Sequence, residues 1–197
     1  MSLDLESIQG RYLSDLLNQP EALRDTLDAL RTASVFDEIA GACDGGAFQR
    51  VVLTGMGSSY FGLHPLCIEL AANNWTPIML ETSELIHSYS QLLTPSTLVL
   101  AVSQSGKSAE TVRLLGMNEK KATVVGVTDS ADSPLAEQSN FVVLTAAGDE
   151  FSVSCKTYLT AQMALCMVAA ALCNVDRVER LHELEAAHFA VQGYLNH

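Results

Sequence analysis

A short polar run, residues 103–108, carries the side chains of this sequence most able to bind a small anion. The run reads Ser-Gln-Ser-Gly-Lys-Ser, follows the apolar stretch 97–102 directly and precedes a segment compatible with a helix. A strand, a polar loop and a helix in this order leave backbone N–H groups unpaired at the N-terminus of the helix, where the helix dipole favours an anion. Three hydroxyl groups and one amide add donors at the same point. The pattern therefore predicts a phosphate-binding loop.

One alternative for this loop is an ATP-binding site. Residues 101–108 match a loose Walker A pattern with Ala101 in place of the first glycine, and Asp129 follows a later apolar run, where a magnesium ligand would be needed. Ala101, however, lies inside the apolar stretch and resists the backbone torsion angles that glycine would supply. A P-loop ATPase or kinase is thus a remote alternative.

A second alternative is a dinucleotide site at Gly55-Met56-Gly57, with Glu81 at the end of the next apolar run as the ribose ligand. The third glycine of that pattern is replaced by Tyr60, a bulky side chain where a helix must pack closely on a strand. A lone Gly-x-Gly is weak evidence, so this interpretation is also remote.

The elements that must position these loops alternate along the chain from Arg50 onward. Apolar runs at 50–55, 77–81, 97–102, 122–128 and 141–145 predict strands, and the segments near 59–72, 106–117 and 132–138 predict helices. Continuous apolar strands indicate burial on both faces, hence a parallel sheet covered by helices. We expect an α/β fold, a three-layer α-β-α sandwich with a five-stranded parallel sheet in the flavodoxin-like order 2-1-3-4-5. In that order the loops after strands 1 and 3 line one crevice.

Helices are also predicted on both sides of this region. Helical spacing of apolar residues predicts one helix over 4–18, a second that begins near Pro20 and a third that ends before the Gly45-Gly46 pair. A long buried helix is expected over 153–171, and a charged amphipathic helix over 175–197, on which His182 and His188 are expected to be solvated. These features predict a helical lead-in (1–48), a ligand-binding domain (49–175) and a C-terminal helix or linker (176–197) to a possible second domain.

Composition excludes several classes of partner. The chain has 197 residues, 48% of them hydrophobic and 17% charged, and a net charge of −12. Nucleic acid and acidic membranes both require a basic surface, so neither is expected as a partner. The five cysteines form no C-x-x-C pair and no zinc-like spacing with histidine, which predicts no metal site. No cofactor is expected. The polar N-terminus and the shortness of the apolar run 159–173 favour a cytoplasmic protein.

Three segments, in order, resemble the sugar isomerase (SIS) domain family. They are residues 55–60 (Gly-Met-Gly-Ser-Ser-Tyr), residues 103–106 (Ser-Gln-Ser-Gly) and residues 151–160 (Phe-Ser-Val-Ser-Cys-Lys-Thr-Tyr-Leu-Thr). The likeness extends from Arg50 to Asn174 and is greatest to the first SIS domain in the isomerase half of glucosamine-6-phosphate synthase and to related phosphosugar isomerases and deglycases. Each motif alone is weak, but three in the right order are specific.

The resemblance implies roles for particular residues. The residues expected to bind the phosphate group of the sugar are Ser58, Ser59, Ser103, Gln104, Ser105 and Ser108. Those expected near the reactive end of the sugar are Gly57, Val153 and Cys155. Two residues depart from the family pattern: Lys107 stands where an acidic or small polar residue is usual, and Cys155 stands where serine is common. The expected ligand is a sugar phosphate of the fructose 6-phosphate or glucosamine 6-phosphate type.

Catalytic groups cannot be assigned by motif. Aldose–ketose isomerisation needs a base that moves a proton between adjacent carbons, and in the resembled isomerases the catalytic glutamate, histidine and lysine lie largely in a second SIS domain. The local candidates, led by Glu84 and Lys156, also include His64, His87 and Glu150. Two hypotheses follow: one half of a two-domain phosphosugar isomerase or deglycase that works as a homodimer, or a sugar-phosphate-binding module without catalysis of its own.

Overall fold

The structure of the protein is a computed structural model, which describes residues 10–119, 121–151 and 153–195. Its strands are β1 (Arg50–Gly55), β2 (Pro77–Glu81), β3 (Thr97–Val102), β4 (Thr123–Thr128) and β5 (Phe141–Leu144). The helices before β3 are α1 (Arg11–Leu17), α2 (Gln19–Thr32), α3 (Val35–Cys43), α4 (Ser58–Phe61), α5 (His64–Ala72) and α6 (Thr82–Ser88). Those after it are α7 (Ala109–Asn118), α8 (Pro134–Gln138), α9 (Lys156–Cys173) and α10 (Arg177–Leu195).

The strands form one parallel sheet in the order β2-β1-β3-β4-β5, five-stranded in the described residues. In register, Val52 of β1 lies beside Ile78 of β2 on one side and beside Val99 of β3 on the other. The predicted fold class, sheet order and direction are confirmed. Strand order reverses at β1 and β3, so the loops that follow these two strands open on the same crevice at the carboxyl edge.

Two hydrophobic clusters, one on each face of the sheet, hold the layers together. Val51 and Leu53 point into the cluster with α2, α3, α5, α9 and α10, whereas Val52 points into the cluster with α6, α7 and α8. All three side chains are fully buried, and complete burial of one such side chain contributes about 1.5–3 kcal/mol. Burial on both faces explains why the strands read as continuous apolar runs.

Several helix boundaries differ from the predicted ones. The segment predicted as one helix over 59–72 forms two, α4 and α5, because the chain turns at Gly62-Leu63 and Pro65 then enters the first turn of α5. Helix α7 begins at Ala109 rather than near residue 106, because Gly106 has φ +61° and Ser108 caps the helix. Helix α6 has no counterpart among the predicted helices.

The N- and C-terminal predictions are met in part. The helix predicted over 4–18 is observed as α1 from Arg11, and residues 4–9 lie outside the described residues. Helix α3 ends before the Gly45-Gly46 pair, as predicted, and the pair forms a short 3-10 turn. The long buried helix begins at Lys156 and not at Val153, whose side chain is exposed.

Helix α10 packs against α2 and α9, which corrects one expectation for its histidines. Leu181, Leu184 and His188 recur at helical spacing on the buried face. His188 is only 8% exposed, so its predicted solvation is wrong, whereas His182 is exposed as expected. The charged residues of the tail obscure this apolar stripe in the sequence.

Helix α9 is the central helix of its layer. It is long and apolar enough to cross a membrane, but 61% of it is buried inside the fold. It packs against α2, α3, α5 and α10. Such burial identifies it as a core helix, and its composition reflects helices on several sides rather than lipid.

Candidate functional site

A cleft lies at the carboxyl edge of the sheet, between the ends of β3, β4 and β5 and the first turns of α4 and α9. It is a narrow cleft with an enclosed volume of about 20 Å³, and it opens to solvent. The polar residues that line it at the strand ends and helix starts are Ser58, Ser59, Gln104, Thr128, Asp129, Thr145, Ser154 and Thr157. Tyr158 and Gln162 complete the wall that α9 contributes.

Three of the predicted phosphate ligands meet in this cleft. Ser58 and Ser59 lie in the first turn of α4, directly after the turn that follows β1, and Gln104 lies in the loop after β3. The two loops were predicted to face each other across a crevice, and the structure brings these three side chains to it. Gly57, which has φ +53°, turns the chain sharply between β1 and α4 and so orients the two serines, but does not itself line the cleft.

The other serines of the loop after β3 make contacts within the protein and do not line the cleft. Ser103 is buried, and its N–H donates to the carbonyl of Val127 at 3.1 Å. The exposed Ser105 accepts a hydrogen bond from the Lys107 N–H at 3.3 Å. Ser108 caps α7: its Oγ accepts from the Thr111 N–H at 3.3 Å and lies 2.7 Å from the Thr111 hydroxyl.

The backbone of this loop is fixed by the neighbouring strand and helix. The carbonyl of Gln104 accepts from the Asp129 N–H at 3.0 Å and from the Thr128 hydroxyl at 3.0 Å. The carbonyl of Gly106 accepts from the Leu135 N–H at 3.2 Å. With its main chain held in this way, Gln104 can present its amide to the cleft without a further loss of backbone entropy.

The segment that enters α9 is organised by Glu150. Its Oε1 accepts from the N–H groups of Cys155 and Lys156 at 2.8 Å each and of Thr157 at 3.3 Å, and its Oε2 accepts from the Thr157 hydroxyl. Burial raises the pKa of the Glu150 carboxyl, but the hydrogen bonds from Thr157 and Cys155 outweigh it and place the pKa below its ordinary value. The carboxylate thus caps α9, which assigns it a structural role.

Of the three residues predicted near the reactive end of the sugar, Val153 and Cys155, like Gly57, do not line the cleft. Val153 is 59% exposed, just before the start of α9. Cys155 is buried, and burial together with a hydrogen bond to Glu150 raises the pKa of its thiol to about 11. A thiol with that pKa stays protonated near neutral pH and is a poor nucleophile.

The leading catalytic candidates have structural partners outside the cleft. Glu84 is exposed and accepts a hydrogen bond from the Glu81 N–H at 3.2 Å, as part of a capping box at the start of α6. Lys156 is buried, and its Nζ lies 3.3 Å from Oδ1 of Asp15. A hydrogen bond from the Phe151 amide, with a smaller contribution from Lys156, lowers the pKa of Asp15. Neither candidate lines the cleft.

His64 and His87 are also outside the cleft lining. Both are exposed, His64 at the start of α5 and His87 in the last turn of α6. The ring of His64 stacks on Phe61, with the centroids 6.3 Å apart. The structure therefore brings no histidine of the described residues into this cleft.

Several lining residues were not predicted as ligands. Thr128 is the last residue of β4, and Asp129 and Thr145 directly follow β4 and β5. The rule that placed the loops after β1 and β3 at the carboxyl edge applies to them equally. The sequence suggested Asp129 only as a magnesium ligand; its Oδ1 accepts from the Thr145 hydroxyl at 2.8 Å. Gln162 interrupts the apolar sequence of α9, which was its signal, and its Nε2 donates to the Gly62 carbonyl at 2.8 Å.

The sequence model of the SIS domain matches residues 48–172. This match covers more than half of the chain, and the chain belongs to the SIS domain family. The resemblance drawn from the three segments is confirmed, and the P-loop alternative has no support. The doubly wound sheet and the placement of the cleft at its carboxyl edge agree with this assignment.

Similar proteins include enzymes named glutamine–fructose-6-phosphate aminotransferase (isomerizing). The Pyrobaculum aerophilum protein is 32% identical over 179 residues, which cover 88% of this chain and 29% of that protein. The Thermococcus kodakarensis protein is 30% identical over 184 residues, which cover 87% of this chain and 29% of that protein. The chain thus spans about three-tenths of the length of these relatives.

Solved structures share the fold. The C-terminal domain of glucosamine-fructose-6-phosphate aminotransferase from Francisella tularensis superposes with a TM-score of 0.80 at 21% identity, covering 95% of this chain and 56% of that one. Tagatose-6-phosphate ketose/aldose isomerase from Escherichia coli superposes with a TM-score of 0.72 at 17% identity, covering 95% of this chain and 54% of that one. In both cases this chain corresponds to little more than half of the solved chain.

Proposed function

We propose that the cleft binds a sugar phosphate, with the phosphate group held between the loop after β1 and the loop after β3. The observation that carries the proposal is the convergence of Ser58, Ser59 and Gln104 at one cleft. Hydroxyl and amide donors bind a phosphomonoester without a cationic side chain, which suits a chain of net charge −12.

The ligand class follows from the relatives. Their names specify fructose 6-phosphate for the aminotransferases and tagatose 6-phosphate for the isomerase that shares the fold. We infer that this chain takes a ligand of the fructose 6-phosphate or glucosamine 6-phosphate type and that it serves aldose–ketose isomerase chemistry.

The reaction needs a base that this cleft does not supply from the predicted candidates. Glu84, Glu150 and Lys156 each have a structural partner elsewhere. The carboxylate that does line the cleft, Asp129, accepts hydrogen bonds from the Thr145 hydroxyl and from the Ala147 N–H, each at 2.8 Å. We therefore infer that the acid–base groups come from a second SIS domain or a second copy of the chain, in a homodimer.

The same observation keeps a second function open. A chain in which Glu84, Glu150 and Lys156 are committed to caps and an ion pair can act as a sugar-phosphate-binding module without catalysis. The two functions separate in one assay: incubation of the chain with fructose 6-phosphate, followed by NMR of the sugar and by sedimentation of the protein. Turnover by a dimer supports the isomerase, and binding without turnover supports the module.

Calorimetric titration tests the ligand class and its place together. Fructose 6-phosphate, glucosamine 6-phosphate, inorganic phosphate and ATP–Mg are titrated in parallel into the wild type and into Ser59→Ala and Gln104→Ala variants. A hydrogen bond to a charged group contributes about 1.5–3 kcal/mol, so each variant should weaken sugar-phosphate binding at least roughly tenfold. Ser90→Ala, an exposed serine outside the cleft, is the matched control. Binding of ATP without sugar phosphate, or unchanged affinity in both cleft variants, would contradict the proposal.

A further inference from the structure

The N-terminal helices hold the loop that forms one wall of the cleft. This β5–α9 loop, described over residues 145–151 and 153–155, contributes Thr145 and Ser154 to the lining. We propose that Asp15 of α1 is a positioning residue for the ligand cleft, acting through the Phe151 N–H and the Lys156 ammonium group. The inference rests on the proposed function of the cleft as a sugar-phosphate site.

Asp15 reaches the loop with both carboxylate oxygens. Its Oδ2 accepts from the Phe151 N–H at 2.8 Å, and its Oδ1 lies 3.3 Å from the Lys156 Nζ. The side chains of Asp15 and Lys156 are only 12% and 5% exposed. Removal of one partner leaves the other charge without compensation, so the pair favours the arrangement in which α1 and the loop are held together.

A second contact from the same helical region fixes the other end of the loop. Thr26 of α2 is fully buried, and its Oγ1 accepts from the Ala146 N–H at 3.0 Å. Asp15 and Thr26 are each separated by more than a hundred residues from the amides that they accept. Two backbone amides of this connecting loop thus take their hydrogen-bond acceptors from the N-terminal helices.

The loop transmits its position directly to the cleft. Glu150, next to Phe151 in the loop, accepts hydrogen bonds from the N–H and the hydroxyl of Thr157. Oγ1 of Thr157 lies 2.6 Å from Oγ of Ser154, and both residues line the cleft. Release of the Phe151 amide from Asp15 therefore loosens the segment that carries Glu150 and displaces the hydroxyls of this wall.

Hydrogen exchange and ligand binding on the full chain test this role. The variants are Asp15→Ala, Asp15→Glu as the conservative rescue, and Thr26→Val, which keeps the shape of the side chain and removes the acceptor. Leu30→Ala, a buried core change in α2, is the control for loss of stability alone. Asp25→Asn, an exposed residue paired with Arg24, is the control for charge.

We expect Asp15→Ala to speed exchange of the Phe151 amide roughly tenfold or more, the loss expected for a hydrogen bond to a charged group. Amides of β1 and β3 should keep their protection, the affinity for fructose 6-phosphate should fall by a similar factor, and Asp15→Glu should recover part of both. Thr26→Val should speed exchange at Ala146 alone.

Two outcomes would overturn the inference. One is unchanged exchange at Phe151 in Asp15→Ala; the other is a loss of affinity in Leu30→Ala equal to that in Asp15→Ala at the same folded fraction. A wild type that binds no sugar phosphate refutes the proposed ligand instead. Exchange at Thr145 and Thr157 then decides the positioning role: faster exchange in Asp15→Ala supports it, and unchanged exchange contradicts it.

Discussion

Replacing Gly106 with alanine adds a methyl group at the tightest point of the loop after β3. A Cβ at this position would lie 2.2 Å from Oγ and 2.6 Å from Cβ of Ser133, and 3.0 Å from Oγ1 of Thr128. The backbone also has φ +61°, in the left-handed region that residues with a side chain rarely adopt. Both obstacles arise from the placement of the loop against β4 and α8.

The two costs set the expected size of the effect. The left-handed conformation costs a residue with a Cβ about 1–2 kcal/mol, and overpacking in a well-packed region costs about 1–3 kcal/mol. The sum, about 2–5 kcal/mol, corresponds to a fall in Tm on the order of 10 °C for a domain of this size. Because Gln104 lies two residues earlier in the same loop, the affinity for sugar phosphate should fall as well.

The assay is urea denaturation followed by circular dichroism, with Gly116→Ala as the matched control. Gly116 is an exposed glycine within α7, and nothing lies within 4 Å of a Cβ built there. Alanine should therefore stabilise the helix by about 0.5–1 kcal/mol at this position. Opposite signs for the two substitutions are expected. A Gly106→Ala variant within about 0.5 kcal/mol of the wild type, the range of neutral surface changes, would refute the description of this loop.

Two further predictions concern the entrance to α9. Glu150→Gln should destabilise the protein at pH 7. The folded-state pKa of Glu150 lies below the ordinary 4.5, so the stability that its carboxylate contributes is present above pH 4.5 and is lost as the pH falls through the folded-state value. Urea denaturation between pH 3 and pH 7 should show the gap to the wild type narrowing in acid, and a constant gap would argue against the cap. Cys155, with a pKa near 11 and little exposure, should resist alkylation by iodoacetamide at pH 8 in the native protein and react in urea, as read by mass spectrometry. Rapid native alkylation would contradict its burial.

The fold could be predicted because its strands follow a simple rule of composition. Runs such as 97–102 are apolar throughout, which requires burial on both faces and hence helices on both sides. The same rule could not reveal α6, since its short polar sequence depends on a capping box that Glu81 and Glu84 form with each other's backbone. The buried face of α10 was hidden because His188 reads as polar in the sequence but packs beside Leu184.

The position of the candidate site in the fold could be predicted more readily than the side chains that line it. Strand order places the loops after β1 and β3 together, and Ser59 and Gln104 meet there. The use of each hydroxyl depends on local geometry: Ser108 caps its helix and Ser105 accepts from its own loop. Lys156 illustrates the limit, because its partner Asp15 lies in the lead-in, far away along the chain.

The most direct test of the sugar-phosphate cleft is a titration of the ¹⁵N-labelled chain with fructose 6-phosphate, followed through the backbone amides. The largest changes in chemical shift should occur at Ser58 and Ser59, at residues 103–106 and at Thr157. Inorganic phosphate should shift only the amide signals of Ser58, Ser59 and residues 103–106. Saturable shifts confined to another surface, or a spectrum that responds to ATP–Mg and not to the sugar phosphate, would contradict it.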